Sequence, residues 1–70
     1  MIIVSQDRTF IFNNPVFIGC GGTQIRALNT DGKDLVVLGV YKTETTPLVF
    51  EKIIDAYKKG EKVFEMPKVY

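Results

Sequence analysis

The sequence predicts an α+β fold: a small antiparallel sheet of about five strands in a meander, one C-terminal helix packed on it, and a short extended tail. Two observations predict this class. Short β-branched and aromatic segments alternate with turn-forming residues through the N-terminal half of the chain. A stretch with helical spacing of apolar residues then follows the longest strand. The chain is expected to form a single domain, residues 1–70.

The first three predicted strands are short. Residues 1–4 are apolar and β-branched, and residues 9–12 are aromatic or β-branched, so both segments favour extended structure. The polar residues 5–8 between them predict a turn that pairs the two strands as a hairpin. Residues 13–15, Asn-Asn-Pro, end the second strand because proline donates no hydrogen bond and asparagine favours turns. Residues 16–18 then predict a third strand.

The middle of the chain predicts two tight turns around a fourth strand. The glycine-rich residues 19–22 supply the positive φ that a tight hairpin turn needs. Residues 23–28 alternate, with Ile25 and Ala27 on one face, which is typical of a half-exposed strand. The Asp-Gly pair within residues 30–33 favours a second hairpin turn.

Residues 35–41 form the longest predicted strand, and they are apolar almost throughout instead of alternating. A continuous apolar run indicates a strand that is covered on both faces. One helix covers only one face of a sheet. We therefore expect the other face to be covered either by the N-terminal strands or by a second subunit.

The helix is predicted to begin near residues 44–47, because Pro47 is tolerated only in a first turn. Three preceding threonines are N-cap candidates: Thr43, Thr45 and Thr46. Gly60 predicts a helix end at Lys59. One apolar stripe at helical spacing is expected to face the sheet: Val49, Phe50, Ile53, Ile54 and Tyr57. Residues 62–66 predict a last strand or an extended arm.

Composition excludes several classes of function. The chain has one cysteine and no histidine, so it lacks both an intrachain disulfide and the ligands of a structural zinc site. Cys20 has no histidine partner for nucleophilic catalysis. The glycine-rich residues 19–22 precede a predicted strand, whereas a phosphate-binding loop precedes a helix. We therefore expect no enzymatic activity, no cofactor and no bound metal.

The N-terminal segment and the hydropathy pattern predict a cytoplasmic protein. The opening apolar run has no basic segment before it, unlike a signal peptide. No stretch approaches the ~20 apolar residues that cross a bilayer, so no membrane partner is expected. The formal net charge of +1 gives no overall attraction to polyanions.

Three phenylalanines on the N-terminal strands are candidates for a contact surface: Phe10, Phe12 and Phe17. Phe10 and Phe12 are two residues apart, so in a strand they project to the same face. They belong either to the core or to an exposed aromatic face that binds a partner. The exposed alternative, together with the two-sided apolar strand, predicts self-association as a homo-oligomer, with a dimer as the expected form.

The C-terminal third carries lysines interleaved with aromatic residues, which is one pattern of a nucleic-acid surface. The candidate residues are Lys58, Lys59, Lys62 and Phe64. Acidic residues are mixed among them, so a solvated helix face is the favoured interpretation. Binding of nucleic acid is kept as the alternative function.

Several segments resemble a group of small, uncharacterised proteins of Gram-positive bacteria and their phages. They are residues 3–7 (IVSQD), residues 38–44 (LGVYKTE), residues 54–57 (IDAY) and residues 64–67 (FEMP). The resemblance implies a small β-meander after the first strand and a phage or prophage context. It implies no activity and carries over no catalytic residue. Taken together, the sequence predicts a non-enzymatic accessory or interaction protein that self-associates.

Overall fold

The computed structural model describes residues 1–29 and 34–69, and its six strands and one helix confirm the α+β class. The elements are β1 (Ile2–Val4), β2 (Ile11–Asn13), β3 (Phe17–Gly21), β4 (Gln24–Leu28), β5 (Leu35–Val40), α1 (Thr46–Lys59) and β6 (Val63–Glu65). The predicted turn at residues 30–33 lies outside the described residues. No helix in the described ranges is both long enough and apolar enough to cross a membrane.

The strands form two three-stranded sheets, where the sequence predicted one sheet. The first sheet has the order β2-β1-β6, and the predicted hairpin of β1 and β2 is confirmed with Ile3 opposite Phe12. The expected meander fails at β6, which pairs with β1 in parallel and places Phe64 opposite Ile3. The chain reaches β6 through a helix, the kind of crossover that parallel strands require.

The second sheet has the order β3-β4-β5 and is antiparallel throughout. β3 spans Phe17–Gly21 and so extends beyond the predicted residues 16–18. Within the glycine-rich segment only Gly22 has a positive φ, 58°, so the residues before it can remain in the strand. Gly22 and Thr23 therefore form a two-residue loop between the paired residues Gly21 and Gln24. The predicted alternation of β4 is confirmed, since Ile25 and Ala27 are both fully buried.

A β-bulge in β5 explains why its sequence does not alternate. The pairing register shifts between Ile25 and Arg26 of β4, which leaves Leu38 as an extra residue in β5. Leu38 and Tyr41 are three residues apart, yet both are buried. Val36 lies opposite Ala27 and packs against the core, whereas Leu35, Val37 and Val40 are exposed on the opposite face.

The helix bounds agree with the sequence, but its buried face does not. Thr45 is the N-cap residue, although its hydroxyl donates to the Lys42 carbonyl at 3.0 Å and caps no helix N–H group. Gly60 has a left-handed φ of 70°, and its N–H and that of Glu61 bond back to Tyr57 and Ala56 carbonyls, as in a Schellman motif. The buried residues are Thr46, Val49, Ile53 and Ala56.

The predicted stripe of α1 is therefore wrong along one side. Ile54 and Tyr57 are 38% and 46% exposed, and Phe50 is only partly buried. The physical reason is that the sheet beneath the helix ends at β3, so it is too narrow to cover the full apolar width of α1. The helix thus presents an uncovered apolar flank on the β3 side.

Candidate interaction surface

The β3-β4-β5 sheet has one covered and one uncovered face. The helix packs on the face that carries Ile25 and Ala27. The register places the other side chains on the opposite face, which we call the outer face: Phe17, Arg26, Leu28, Leu35, Val37 and Val40. Leu35, Val37 and Val40 are 51%, 40% and 53% exposed. The second face of residues 35–41 was expected to be covered by the N-terminal strands or by a second subunit. The N-terminal strands instead form a separate sheet and leave the outer face open.

Phe17 lies where the outer face meets the edge of the sheet, and 55% of its side chain is exposed. Its ring lies over Gly19, where a Cβ atom would stand only 2.9 Å from the ring atom Cε1. Any larger residue at position 19 would have to displace this ring. Glycine at this position thus lets an aromatic ring lie close to the backbone of the strand.

A second apolar surface lies between β3 and the uncovered flank of α1. It is a groove of about 290 Å³, which we call the edge groove. Its lining residues are Pro15, Val16, Phe17, Ile18, Phe50, Ile53, Ile54 and Tyr57. None of them is charged. Phe17 also lines a smaller cleft of about 180 Å³ together with Leu35 of the outer face, so it belongs to both surfaces.

The outer edge of β3 carries backbone groups that point away from β4. A two-residue loop makes Gly21 and Gln24 a hydrogen-bonded pair, so alternate residues of β3, including Gly19, also bond to β4. The Thr23 carbonyl accepts from Tyr41 N–H at 2.8 Å on the β5 side, as this alternation requires. The N–H and C=O groups of Ile18 and Cys20 therefore point outward, and no described residue bonds to them.

The opposite edge of the same sheet is closed by a side chain at its C-terminal end, at Val40. Gln6, in the turn between β1 and β2, accepts from Val40 N–H at 2.7 Å and donates to the Val40 carbonyl at 3.0 Å. Its own N–H donates to the Leu38 carbonyl at 2.9 Å. The side-chain amide of Gln6 also donates to the Lys68 carbonyl at 3.1 Å. Nothing in the sequence pattern indicated this role, because a glutamine in a polar turn is ordinary.

The other sheet offers poor edges for a partner. Its edge strands β2 and β6 contain only three residues each. β6 lies between Lys62 and Pro67, and β2 runs into Asn14 and Pro15. Charges, prolines and short length are the usual protections of exposed edges. Among the described edge strands that no side chain closes, β3 is the longest, with five residues, although Pro15 lies two residues before it.

The structure separates the three candidate phenylalanines. Phe12 is 8% exposed and belongs to the core, and Phe10 is partly buried against that core. The exposed alternative therefore fails for Phe12, because β2 turns this side chain toward the interior of the protein. Phe17 is the exposed member of the set. The sequence did not assign its neighbours Val16, Ile54 and Tyr57 to a contact surface. For Ile54 and Tyr57 the signal was a helical stripe broader than one sheet edge can cover, and Val16 carried no comparable signal.

The four nucleic-acid candidates differ in exposure. Lys58, Lys59 and Lys62 are exposed around the end of α1, with Glu61 among them. Phe64 is partly buried and packs against the core, which reduces the ring surface available for stacking on a base. No observation in the described residues favours this surface over the apolar one.

The titratable groups of residues 1–29 and 34–69 show no arrangement specific to catalysis. Hydrogen bonds from the Thr9 hydroxyl, the Thr9 N–H and the Ser5 hydroxyl hold the pKa of Asp7 below its ordinary value, which opposes a role as a general acid. Cys20 is exposed. Among residues 1–29 and 34–69, no group of three or more acidic, cysteine or histidine side chains is placed to hold a metal ion.

Comparison of this chain with protein families, curated proteins and solved structures finds no match.

Proposed function

We propose that this protein is a non-enzymatic interaction protein that acts as a self-associated assembly. The observation that supports the proposal is the exposure of Phe17 between the outer face, which is largely apolar apart from Arg26, and the apolar edge groove. Exposed apolar surfaces that adjoin one another are typical of protein contact sites. The proposed occupant is a second copy of the chain.

The energetics favour such a contact. A phenylalanine side chain buries roughly 150–250 Å² when fully covered, so covering the exposed half of Phe17 removes about 100 Å² from water. At about 25 cal/mol per Å², that ring contributes about 2.5 kcal/mol in each copy. The edge groove has no charged lining residue, so two copies can meet there without bringing like charges together.

Replacing Phe17 with Asp tests the proposal, because this residue lines both surfaces. We expect wild-type protein to have a dimeric or larger solution mass by light scattering at tens of micromolar, and Phe17→Asp to be a folded monomer. Circular dichroism reports whether the variant is folded. A monomeric wild-type protein at that concentration would overturn the proposal.

Ile11→Asp is the matched control, since Ile11 is an exposed apolar strand residue, 63% exposed, on the other sheet. We expect this control to keep the wild-type mass. An equal loss of mass in both variants would indicate unspecific association through apolar surface and would contradict a defined contact at Phe17.

The proposal includes a phage or prophage context. Its support is the resemblance at residues 3–7 and 38–44. Genes that flank the coding sequence test it. Structural or regulatory phage genes as neighbours support this context, and a stable position among housekeeping genes contradicts it.

A further inference from the structure

We infer that a second copy of this chain adds to the open edge of β3, antiparallel to it, with a twofold axis at Gly19. The result is one continuous six-stranded sheet with both α1 helices on the same side. This inference rests on the proposed self-association and names the strand that mediates it.

The hydrogen-bonding pattern of β3 fits this pairing. Its outward N–H and C=O groups belong to Ile18 and Cys20, and antiparallel strands exchange two bonds at every second residue pair. A twofold axis at Gly19 places Ile18 opposite Cys20 of the partner subunit, and Cys20 opposite Ile18 of the partner subunit. Both pairs are then hydrogen-bonded pairs, so the four outward N–H and C=O groups of each copy all find partners.

The strand ends fit as well. β3 spans Phe17–Gly21, and Gly19 is its midpoint. Pairing about this residue aligns the two strands over their full length, with no overhanging residue at either end. At the centre, Gly19 faces Gly19 of the partner subunit in a non-hydrogen-bonded pair, where Cα atoms approach to about 4.5 Å.

The edge groove supplies the side-chain contact beside the paired strands. Phe17 and Tyr57 are each about half exposed, and the two rings in two copies represent about 400 Å² of coverable surface. Val16 and Ile54 add apolar area next to them, and the strand backbones add more. Interfaces below about 1,200 Å² are typical of weak, transient pairs, so we expect a dimer that dissociates on dilution.

A proline at Cys20 tests the pairing. The Cys20 N–H points away from β4, so Cys20→Pro removes an outward donor and leaves the bonds to β4 in place. Each dimer loses two hydrogen bonds, and we expect its Kd to rise by about 30-fold or more. Sedimentation equilibrium over a concentration series measures this change.

Two matched variants separate the inference from the broader proposal. Cys20→Ser keeps the N–H group and excludes the thiol as the cause, and it should dimerise like the wild type. Val37→Asp alters the outer face at a distance from the β3 edge, and it should leave the Kd within about threefold of wild type. A dimer that survives Cys20→Pro and is lost in Val37→Asp would overturn edge pairing and leave self-association standing. A wild-type chain that stays monomeric would overturn both.

Amide hydrogen exchange of the wild-type protein tests the same contact without any substitution. Above the Kd, the amides of Ile18 and Cys20 should be protected, and dilution below the Kd should remove that protection. The amides of Gly19 and Gly21 bond to β4 in either state, so their protection should change little. Equal exchange of Ile18 and Cys20 at high and low concentration in a dimeric sample would overturn the inference.

Discussion

The two edges of the β3-β4-β5 sheet differ in whether their outward backbone groups find hydrogen-bond partners. At the β5 edge, the Gln6 side chain bonds to both backbone groups of Val40, at 2.7 and 3.0 Å. At the β3 edge, the outward groups of Ile18 and Cys20 have no partner among the described residues. The chain therefore closes the Val40 end of one edge by itself, whereas the outward groups of β3 bond to no described residue.

The closed edge also connects the two sheets of the protein. Gln6 belongs to the turn between β1 and β2, and it reaches β5 of the second sheet and Lys68 of the C-terminal segment. Arg8 of the same turn donates to the Met66 carbonyl at 2.7 Å. The same turn thus bonds to the Val40 end of the β5 edge and joins the two sheets, whereas the outward groups of β3 bond to no described residue.

The largest expected effect comes from placing proline at each edge. Val40→Pro removes the N–H that Gln6 accepts from, and we expect a loss of about 2–3 kcal/mol in the free energy of unfolding. Cys20→Pro removes an N–H with no internal partner, and we expect a loss below about 1 kcal/mol. Urea denaturation at a protein concentration well below dimer formation compares the two variants. Equal losses would show that the two edges do not differ as described.

A smaller effect is expected when the closing side chain is removed. Gln6→Ala loses three side-chain hydrogen bonds at a partly exposed position, which should cost about 1–2 kcal/mol of stability. Gln24 is the matched control, because no described residue hydrogen-bonds its side chain. Gln24→Ala should unfold at nearly the wild-type urea concentration. If Gln6→Ala also exposes a usable edge at β5, its solution mass should exceed that of the wild type.

The smallest expected effect concerns Tyr41, which follows β5 and whose hydroxyl donates to the Pro67 carbonyl at 2.6 Å. Burial raises its pKa from 10.0 to about 12, and the cationic Arg8 opposes this shift. The folded state therefore favours the neutral phenol. This stabilisation is complete below pH 10 and is lost as the pH rises through about 12.

Absorbance of tyrosinate against pH measures this group directly. We expect one tyrosine to ionise near pH 12 or together with unfolding, and Tyr41→Phe to remove that step. The variant keeps the ring and loses one hydrogen bond, so it should be less stable by about 1 kcal/mol at neutral pH. Tyr57→Phe serves as the control and should leave the Tyr41 step in place. A Tyr41→Phe titration identical to the wild type would contradict the assignment.

The local features of the fold were predictable from sequence because their causes are local. Pro47 and Gly60 bracket the helix, since each fits only one end of it. The alternation at Ile25 and Ala27 indicated the buried face of β4, since side chains of a strand project to alternate sides.

The features that define the candidate site depend on contacts between distant residues. The pairing of β6 with β1 joins two three-residue strands from opposite ends of the chain, and such short segments carry little pairing information. The exposure of Ile54 and Tyr57 follows from the width of the sheet beneath the helix, which no property of the helix itself encodes. The closing role of Gln6 is of the same kind.

The position of β1 between β2 and β6 has a consequence for synthesis of the protein. The hairpin of β1 and β2 is complete at Asn13, but β6 ends only at Glu65. At about 5–20 residues per second, a ribosome needs about 3–10 s to add the intervening chain. During this interval the central strand of the first sheet has only one neighbour. β6, which is translated after every other described strand, therefore completes the sheet around β1.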